Sequence, residues 1–415
     1  MAEMIEIVDM FSGSGGASWG IWQAAIALGI ADRVRITAIN HWDKAIEAHA
    51  SNFPAQHVRH YCQHVELLNP RLIFPQGRAR IMLAAPECIY HSNARGGGEC
   101  DEQSRSSAWN IVHWAERLYI DFIVIENVIE FLKWGPLGAD RKPIKKKRGQ
   151  LFVSFVKNME ALGYRVQWRV LNSADYGAHT LRRRVFLFCQ RGNRKTIQWP
   201  EITHTENPQD GLFSAFEPWR AGAEVIDFTK VGTSVLYGDT HRVPNTLERI
   251  EKGLRRFGTQ PFLTKWYKTS HSASLSSPLP TIVASTDHIG LLEPFIINYK
   301  GKNGTRPVTR PLPTFTTQQS IALCQPSKVS SLDRPLAYSE AELREYPLLW
   351  KIAQERKFDL RHRYLGLDEL KVGQGFPKEY ILKGTKEDQV AQIGNAWEGH
   401  LSYALGKCAL KGIVL

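Results

Sequence analysis

The sequence predicts an α/β fold: a doubly wound parallel sheet flanked by helices, with a second, smaller lobe. Three observations carry that expectation. Short apolar runs alternate with helical stretches over the first 190 residues, as strands covered on both faces do. After about Gly192 the texture turns to Pro, Gly, Thr, Ser, Trp and Lys without that alternation, which suits short strands and loops. Helical spacing of Ala, Leu and Val returns over Asp388–Leu410, a segment able to pack back on the first domain.

Each element follows in chain order. Ile5–Phe11 (IEIVDMF) reads as a strand and Ala17–Leu28 as a helix. Arg35–Asn40 is a second strand, followed by a helix from Asp43. Ile81–Ala85 and Asp121–Val128 are continuous apolar runs, the mark of strands buried on both sides. Helices are expected near Ser106–Leu118 and Leu151–Leu162, and strands at Arg165–Leu171 and Arg184–Gln190. Such alternation places a site at the C-terminal edge of the strands. In the second lobe, Pro278–Ile282 (PLPTI) and Pro311–Phe315 (PLPTF) form a weak repeat that reads as two similar turns into strands.

Composition narrows the function classes. The 415 residues are 43% hydrophobic and 23% charged, the mix of a folded chain rather than a disordered one. At about 150 residues per domain the length allows two or three domains. No run of about 18 apolar residues occurs, so no membrane span is expected. The start, MAEMIEIVDMF, lacks the basic and apolar regions of a secretory signal. Cys62, Cys88, Cys100, Cys189, Cys324 and Cys408 form no CxxC pair, which argues for a reducing compartment and against a zinc ribbon. The net charge of +12 favours a polyanionic partner such as nucleic acid. Arg141–Arg148 (RKPIKKKR) holds six basic residues. It reads as a solvated loop, a phosphate-contact surface or a nuclear import signal.

Four segments carry chemistry. Asp9–Gly16 (DMFSGSGG) lies between a strand and a helix. Its glycines let the backbone approach a ligand, and the helix N-terminus supplies N–H donors. The spacing of Gly13, Gly15 and Gly16 is not that of an NAD site, and an ordinary tight turn is the plainer alternative. Ala85–Ser92 (APECIYHS) puts Cys88 after a central strand, where a nucleophile is well placed. A lone Cys is more often buried and inert. The Gly-rich stretch Arg95–Gly98 behind it suits a loop that closes. Cys88, His91 and Cys100 lack zinc-ligand spacing, and no metal is expected. Glu126-Asn127-Val128 puts a carboxylate at a strand end, as a ligand contact or as a helix cap. Thr180–Val185 (TLRRRV) places Arg182 and Arg184 on one strand face. They can fork onto a base oxygen or a phosphate, or simply form a basic strand edge.

In their order and spacing these motifs resemble the C5-cytosine DNA methyltransferase family over nearly the full length. The resemblance rests on the FSGSGG loop, Asn40-His-Trp-Asp43, the Pro-x-Cys loop, ENV and RRRV, and on Arg310–Thr314 (RPLPT), Gly375-Phe-Pro377 and Gln392–Ala396 (QIGNA). It implies a Rossmann-like class I methyltransferase sheet, formed by residues 1–191 and 336–415, and a target-recognition domain, 192–335. It implies transfer of a methyl group from S-adenosyl-L-methionine to C5 of a cytosine flipped from double-stranded DNA. The reaction would run through a covalent bond from Cys88 to C6. A free thiol titrates near about 8.5, so the site must favour the thiolate. Glu126 would bind N3 and the exocyclic amine, Arg184 the O2 oxygen, and Arg182 the loop or a phosphate. Phe11 and Trp42 would face the sulfonium. Ser12, Gly13, Gly15 and Gly16 would wrap the amino-acid part, with Pro86 beside the pocket and Asn395 closing it. A monomer is expected, in the cytoplasm of a bacterial or phage-infected cell, as in restriction-modification.

The chain departs from the family pattern at several points. Glu87 stands before the thiol where proline is usual, either as a base or facing the sulfonium. His41 replaces the acid that binds ribose, and His64 the aspartate that contacts adenine. Asn395-Ala-Trp-Glu-Gly399 replaces Asn-Ala-Val-Pro-Pro, and Thr180 replaces glutamine. Most of these changes fall at the donor pocket. They leave open a modified donor or a different transferred group. A tRNA cytosine methyltransferase and a non-catalytic DNA-binding relative are the other readings.

Overall fold

A computed structural model describes residues 3–86, 107–192, 198–208, 216–239, 241–257, 334–355 and 359–414, and the backbone of seven short strands between 262 and 327. Glu87, Cys88, His91, Arg95–Gly98, Cys100, Arg310 and Pro278–Ile282 lie outside the described residues.

The first sheet is built from β1 (Ile5–Met10), β2 (Val34–Asn40), β3 (Val58–Cys62), β4 (Arg78–Ala84), β5 (Tyr119–Asn127), β6 (Tyr164–Asn172) and β8 (Arg183–Arg191), with the two-residue β7 (Thr180–Leu181) just before β8. The spatial order is β3-β2-β1-β4-β5-β8-β6. β1 to β5 run parallel, and β8 lies antiparallel to both β5 and β6.

The apolar runs are explained by cover on both faces. Alternate residues Ile5, Ile7, Ile36, Ile81, Leu83 and Val124 pack under α1 (Gly16–Ala27) and the helix Gly399–Val414. Val8, Met10, Ile39, Met82, Ile123 and Ile125 face the helices Trp109–Arg117 and Gln150–Ala161. Each such buried side chain contributes about 1.5–3 kcal/mol. α1 and Gly399–Val414 pack closely because small residues line the contact. A Cβ at Gly20 would run into Ser402, and one at Gly406 would lie 2.8 Å from Ile21. The Ser402 hydroxyl donates to the carbonyls of Gly16 (3.1 Å) and Ala17 (3.2 Å).

The chain crosses from β1 out to β2 and β3 on one side, then returns to β4 on the other. The crevice between β1 and β4 is therefore the topological switch point, where open α/β sheets bind ligands.

A second, eight-stranded antiparallel sheet joins short strands from Thr233–Ser234 to Ile321–Ser327 and takes Asp359–Tyr364 into its interior. Beside it the helices Pro244–Phe257 and Pro347–Glu355 share a core of Leu247, Ile250, Leu254, Leu349 and Ile352. The buried Glu251 carboxylate accepts from the backbone N–H groups of Leu348 (3.1 Å) and Leu349 (3.0 Å). It thereby caps the positive end of the second helix. A separate two-stranded sheet lies outside both. Leu312–Pro313, inside the RPLPT segment, runs parallel to β7, directly before Arg182.

Candidate active site

The loop after β1 is bent by three residues in the left-handed region: Phe11 (φ 61°), Gly13 (φ 54°) and Gly15 (φ 104°). β1 therefore stops at Met10, one residue short of the run read from sequence. Such a φ at Phe11 costs about 1–3 kcal/mol. It is held by hydrogen bonds from Ser12 N to the Ile39 carbonyl and from Gly15 N to the Ser12 carbonyl, both 3.0 Å. Behind the loop there is no spare room. A Cβ at Gly15 would sit 2.8 Å from the Tyr380 hydroxyl, and one at Gly16 2.6 Å from the Trp397 carbonyl. In front there is space, since a Cβ at Gly13 would meet no described atom within 4 Å. Ser12 Oγ is buried without a partner among the described residues. Gly15, which precedes α1, has no side chain to cap it, and the first-turn N–H of Ser18 is taken by Asp9 instead.

Asp9 lies beneath this loop, 2% exposed. Its carboxylate accepts from Ser18 N (3.2 Å) and Ser18 Oγ (2.6 Å). Burial pushes the carboxyl up to about 7, against the lowering effect of both Ser18 bonds. The Tyr380 hydroxyl donates to the Ser14 carbonyl (2.6 Å), and Ser14 Oγ to the Gln392 carbonyl (3.3 Å). These bonds fasten the first loop to the C-terminal segment.

At the end of β2, Asn40 Oδ1 accepts from Trp42 N (2.9 Å) and turns the chain into α2 (Asp43–Asn52). His41, which follows β2, and His64, which follows β3, are exposed and stack at 4.5 Å with 5° between their planes. A pair of imidazoles thus stands where the resemblance implies two carboxylates.

At the end of β4, Ala85 N donates to the Met10 carbonyl (3.3 Å). The buried Pro86 accepts at its carbonyl from Asn127 Nδ2 (3.3 Å), while Asn127 Oδ1 accepts from Val128 N (2.8 Å). The asparagine of ENV therefore fixes the segment that leads to Cys88, a task that the sequence pattern alone does not assign to it.

Glu126 is 7% exposed. One oxygen, Oε1, receives both arginines: Arg182 Nη2 at 3.3 Å and Arg184 Nε at 3.1 Å. Arg182 sits between β7 and β8 and is 3% exposed; its Nη1 also donates to the Gly394 carbonyl (3.0 Å). Arg184 is partly exposed and donates Nη1 to the Arg183 carbonyl (2.9 Å). Two guanidiniums on one carboxylate leave a local excess of positive charge. Glu126 Oε2 has no partner among the described residues.

The structure thus brings Glu126, Arg182, Arg184 and Pro86 together, with residues 392–396 tied in through Arg182. Asn395 is exposed at the end of the helix Lys386–Asn395. The altered final motif has a structural explanation. Trp397 is buried against Phe186, with ring centres 5.4 Å apart. Glu398, 3% exposed, accepts from the backbone of Leu401 (2.9 Å) and His400 (3.2 Å) and from His400 Nδ1 (2.8 Å). It caps the helix Gly399–Val414. Burial alone lowers the His400 imidazole, but the Glu398 charge and hydrogen bond raise it overall.

A mixed, mostly parallel sheet with a glycine loop at its switch point and a buried carboxylate–guanidinium cluster two strands away fits an α/β methyltransferase of the Rossmann-like class. Within that class the model of the C-5 cytosine-specific DNA methylases matches residues 5–409, and the chain belongs to that family. It is 28% identical over 227 residues to the type II methyltransferase M.Sau3AI of Staphylococcus aureus, covering 52% of this chain and 50% of that enzyme. It is 23% identical over 430 residues to the type II methyltransferase M.SacI of Streptomyces achromogenes, covering 100% of this chain and 94% of that enzyme. Against several such relatives the chain spans half their length or less. The fold is similar to that of DNMT2 from Spodoptera frugiperda, with a TM-score of 0.54 at 15% identity, covering 98% of this chain and 99% of that one.

Proposed function

We propose that this protein transfers a methyl group to C5 of cytosine in double-stranded DNA, with S-adenosyl-L-methionine as donor and Cys88 as the attacking thiol. The observation that carries the reading is the Glu126–Arg182–Arg184 cluster at the edge of the sheet, next to Pro86. Cys88 follows Pro86 by two residues, and two residues of chain reach at most about 7 Å.

The chemistry suits that arrangement. C5 of cytosine is a weak nucleophile, and addition of a thiolate at C6 makes it enamine-like. Charge then develops at N3 and O2. In this reading Glu126 engages the N3 and amine edge through Oε2, which has no partner among the described residues, and Arg184 engages O2. Arg182 holds Glu126 in place from behind. The target carbon is shielded in a duplex, so the base must leave the stack.

The donor pocket fits an amino acid joined to a nucleoside. Open space at Gly13 and a Ser12 Oγ without a partner among the described residues suit the charged amino-acid end. Phe11 and Trp42 offer aromatic faces to a cation. When bound, S-adenosylmethionine supplies an electrophilic methyl group on its sulfonium. Residues 1–191 and 336–415 carry the chemistry. Residues 192–335 read the target, with the strand Asp359–Tyr364 completing their sheet. The protein acts as a monomer in a bacterial or phage-infected cytoplasm.

The stacked His41 and His64 favour one second reading, a donor whose transferred group is larger or anionic, because the two carboxylates that would repel it are gone. Mass analysis of nucleosides from DNA modified in a methylation-free host separates the two. 5-Methylcytosine supports the first reading, a heavier cytosine the second, and unmodified DNA contradicts both.

A further inference from the structure

The basic segment after β5 is a folded element rather than a loose tail. Its base is closed by Leu151 N (3.0 Å) and Phe152 N (3.3 Å), both donating to the Trp134 carbonyl. Trp134 itself is buried and stacks on Phe131 at 5.3 Å. Above that base Leu137 and Pro143 form an antiparallel bridge. Gly138 N donates to the Lys142 carbonyl (2.9 Å), Ile144 N to Pro136 (3.1 Å) and Lys147 N to Ile144 (2.9 Å). A side chain at Gly135 would run into the Lys147 carbonyl. The backbone that carries the charges is therefore already ordered.

Among the described residues the charges are not compensated. Lys142, Lys145, Lys146, Lys147 and Arg148 are exposed and form no ion pair among the described residues. Some surface lysines elsewhere are neutralised locally, Lys44 by Glu47, Lys230 by Asp227 and Lys252 by Glu248, whereas here five cations unpaired among the described residues are neighbours in one short segment. Five like charges held together on a fixed backbone repel one another, a cost that an anionic partner removes. The segment also stands in the right place. It leaves the same strand end that presents Glu126, after the single turn Ile129–Lys133.

We propose that Lys142–Arg148 is a preformed clamp for the phosphate backbone of duplex DNA beside the target base. This rests on the reading of DNA as substrate. The composition assigns the contact to phosphates rather than bases. Lysine is a hydrated point charge, and the segment has no aromatic ring to stack on a base. It would then add affinity without sequence preference.

The test uses the full-length protein with Lys145→Gln, Lys146→Gln and Lys147→Gln combined. Binding to target and non-target duplexes is measured across salt concentrations. The slope of log K against log salt should fall by about 0.9 for each phosphate that is no longer neutralised. Affinity should drop on both duplexes alike, KM for DNA should rise, and kcat at saturating DNA and the modified sequence should stay unchanged. The matching triple Lys→Arg variant should keep the wild-type slope, which separates charge from folding. An unchanged slope in the Gln variant, with wild-type protein showing a steep one, would overturn the clamp and leave the DNA reading standing. Wild-type protein that modifies tRNA and shows no salt-dependent duplex binding would overturn both.

Discussion

Arg182 and Arg184 share one carboxylate oxygen, yet they stand in different surroundings. Arg182 is buried and bridges Glu126 to the Gly394 carbonyl, while Arg184 keeps one side toward solvent. Loss of Arg182 leaves the Gly394 carbonyl without its donor and strips the buried Glu126 of one of its two guanidiniums, and an unsatisfied buried group costs about 1–3 kcal/mol. Arg182→Ala should therefore lower the melting temperature clearly. Arg184→Ala should melt near wild type but lose about 100-fold or more in kcat, as removal of a transition-state contact does. Equal stability losses in the two variants would contradict the division between a positioning residue and a base contact. Asp9 makes a second prediction. Folded, its carboxyl titrates up at about 7, against an ordinary value of 3.8. Between those values the folded state binds more protons than the unfolded chain, so stability falls as pH rises through the window. Asp9→Asn removes that loss. Its gain in melting temperature over wild type should be largest at pH 8 and vanish near pH 4. Of these residues, Glu126, Arg182 and Arg184 are legible in the sequence as strand-end charges. The burial cost at Asp9 is not, because it depends on Tyr380 and Gln392, which come from the far end of the chain to seal the loop.

At the scale of elements, Glu398 shows how a departure from a family pattern is absorbed. It offers both oxygens to the first turn of the helix Gly399–Val414, the helix that closes one face of the sheet over α1. Glu398→Ala should cost about 1–2 kcal/mol, the usual loss of an N-cap, and should be read by chemical denaturation. The same variant should lower the titration point of His400, since burial then acts without the opposing carboxylate; proton NMR of the imidazole reads this directly. The strands legible in the sequence are those covered on both faces, such as β4 and β5, whose apolar runs need no partner to be recognised. β3 (VRHYC) has only one fully buried position, so its pattern is weak. Asp359–Tyr364 (DLRHRY) carries charges along its length and does not read as a strand from its pattern. Its place is set by register with Ile321–Ser327 and by the ion pair of Arg363 with the buried Glu369 (2.8 Å). The helix Pro244–Phe257 is hidden for a related reason. Its apolar residues Leu247, Ile250 and Leu254 follow helical spacing but stand among Glu, Lys and Arg in a lobe that otherwise reads as loops.

Across the whole molecule, the chemistry depends on which sulfur attacks, and the surroundings of the other thiols sharpen that question. Cys189 is buried in β8, and burial pushes its thiol far up; Cys408 is raised by burial as well. Neither favours a thiolate. Cys62 is exposed at the end of β3, on the same sheet edge as the donor loop, and is the described thiol best placed to compete with Cys88. It lies on the far side of β2 and β1 from Glu126, whereas Pro86 is bonded to the residue next to Glu126. A thiol adding to a base held by Glu126 and Arg184 must come from the β4 side. A duplex carrying 5-fluorocytosine at the modified position tests this, because fluorine cannot leave as a proton does and the adduct persists. With donor present, wild-type protein and Cys62→Ala should both form a complex that survives denaturing electrophoresis. Cys88→Ser should form none while still binding the duplex. Trapping by Cys88→Ser, or its loss in Cys62→Ala with the fold intact, would move the nucleophile to the other side of the sheet and undo the assignment of Glu126 and Arg184 to the base.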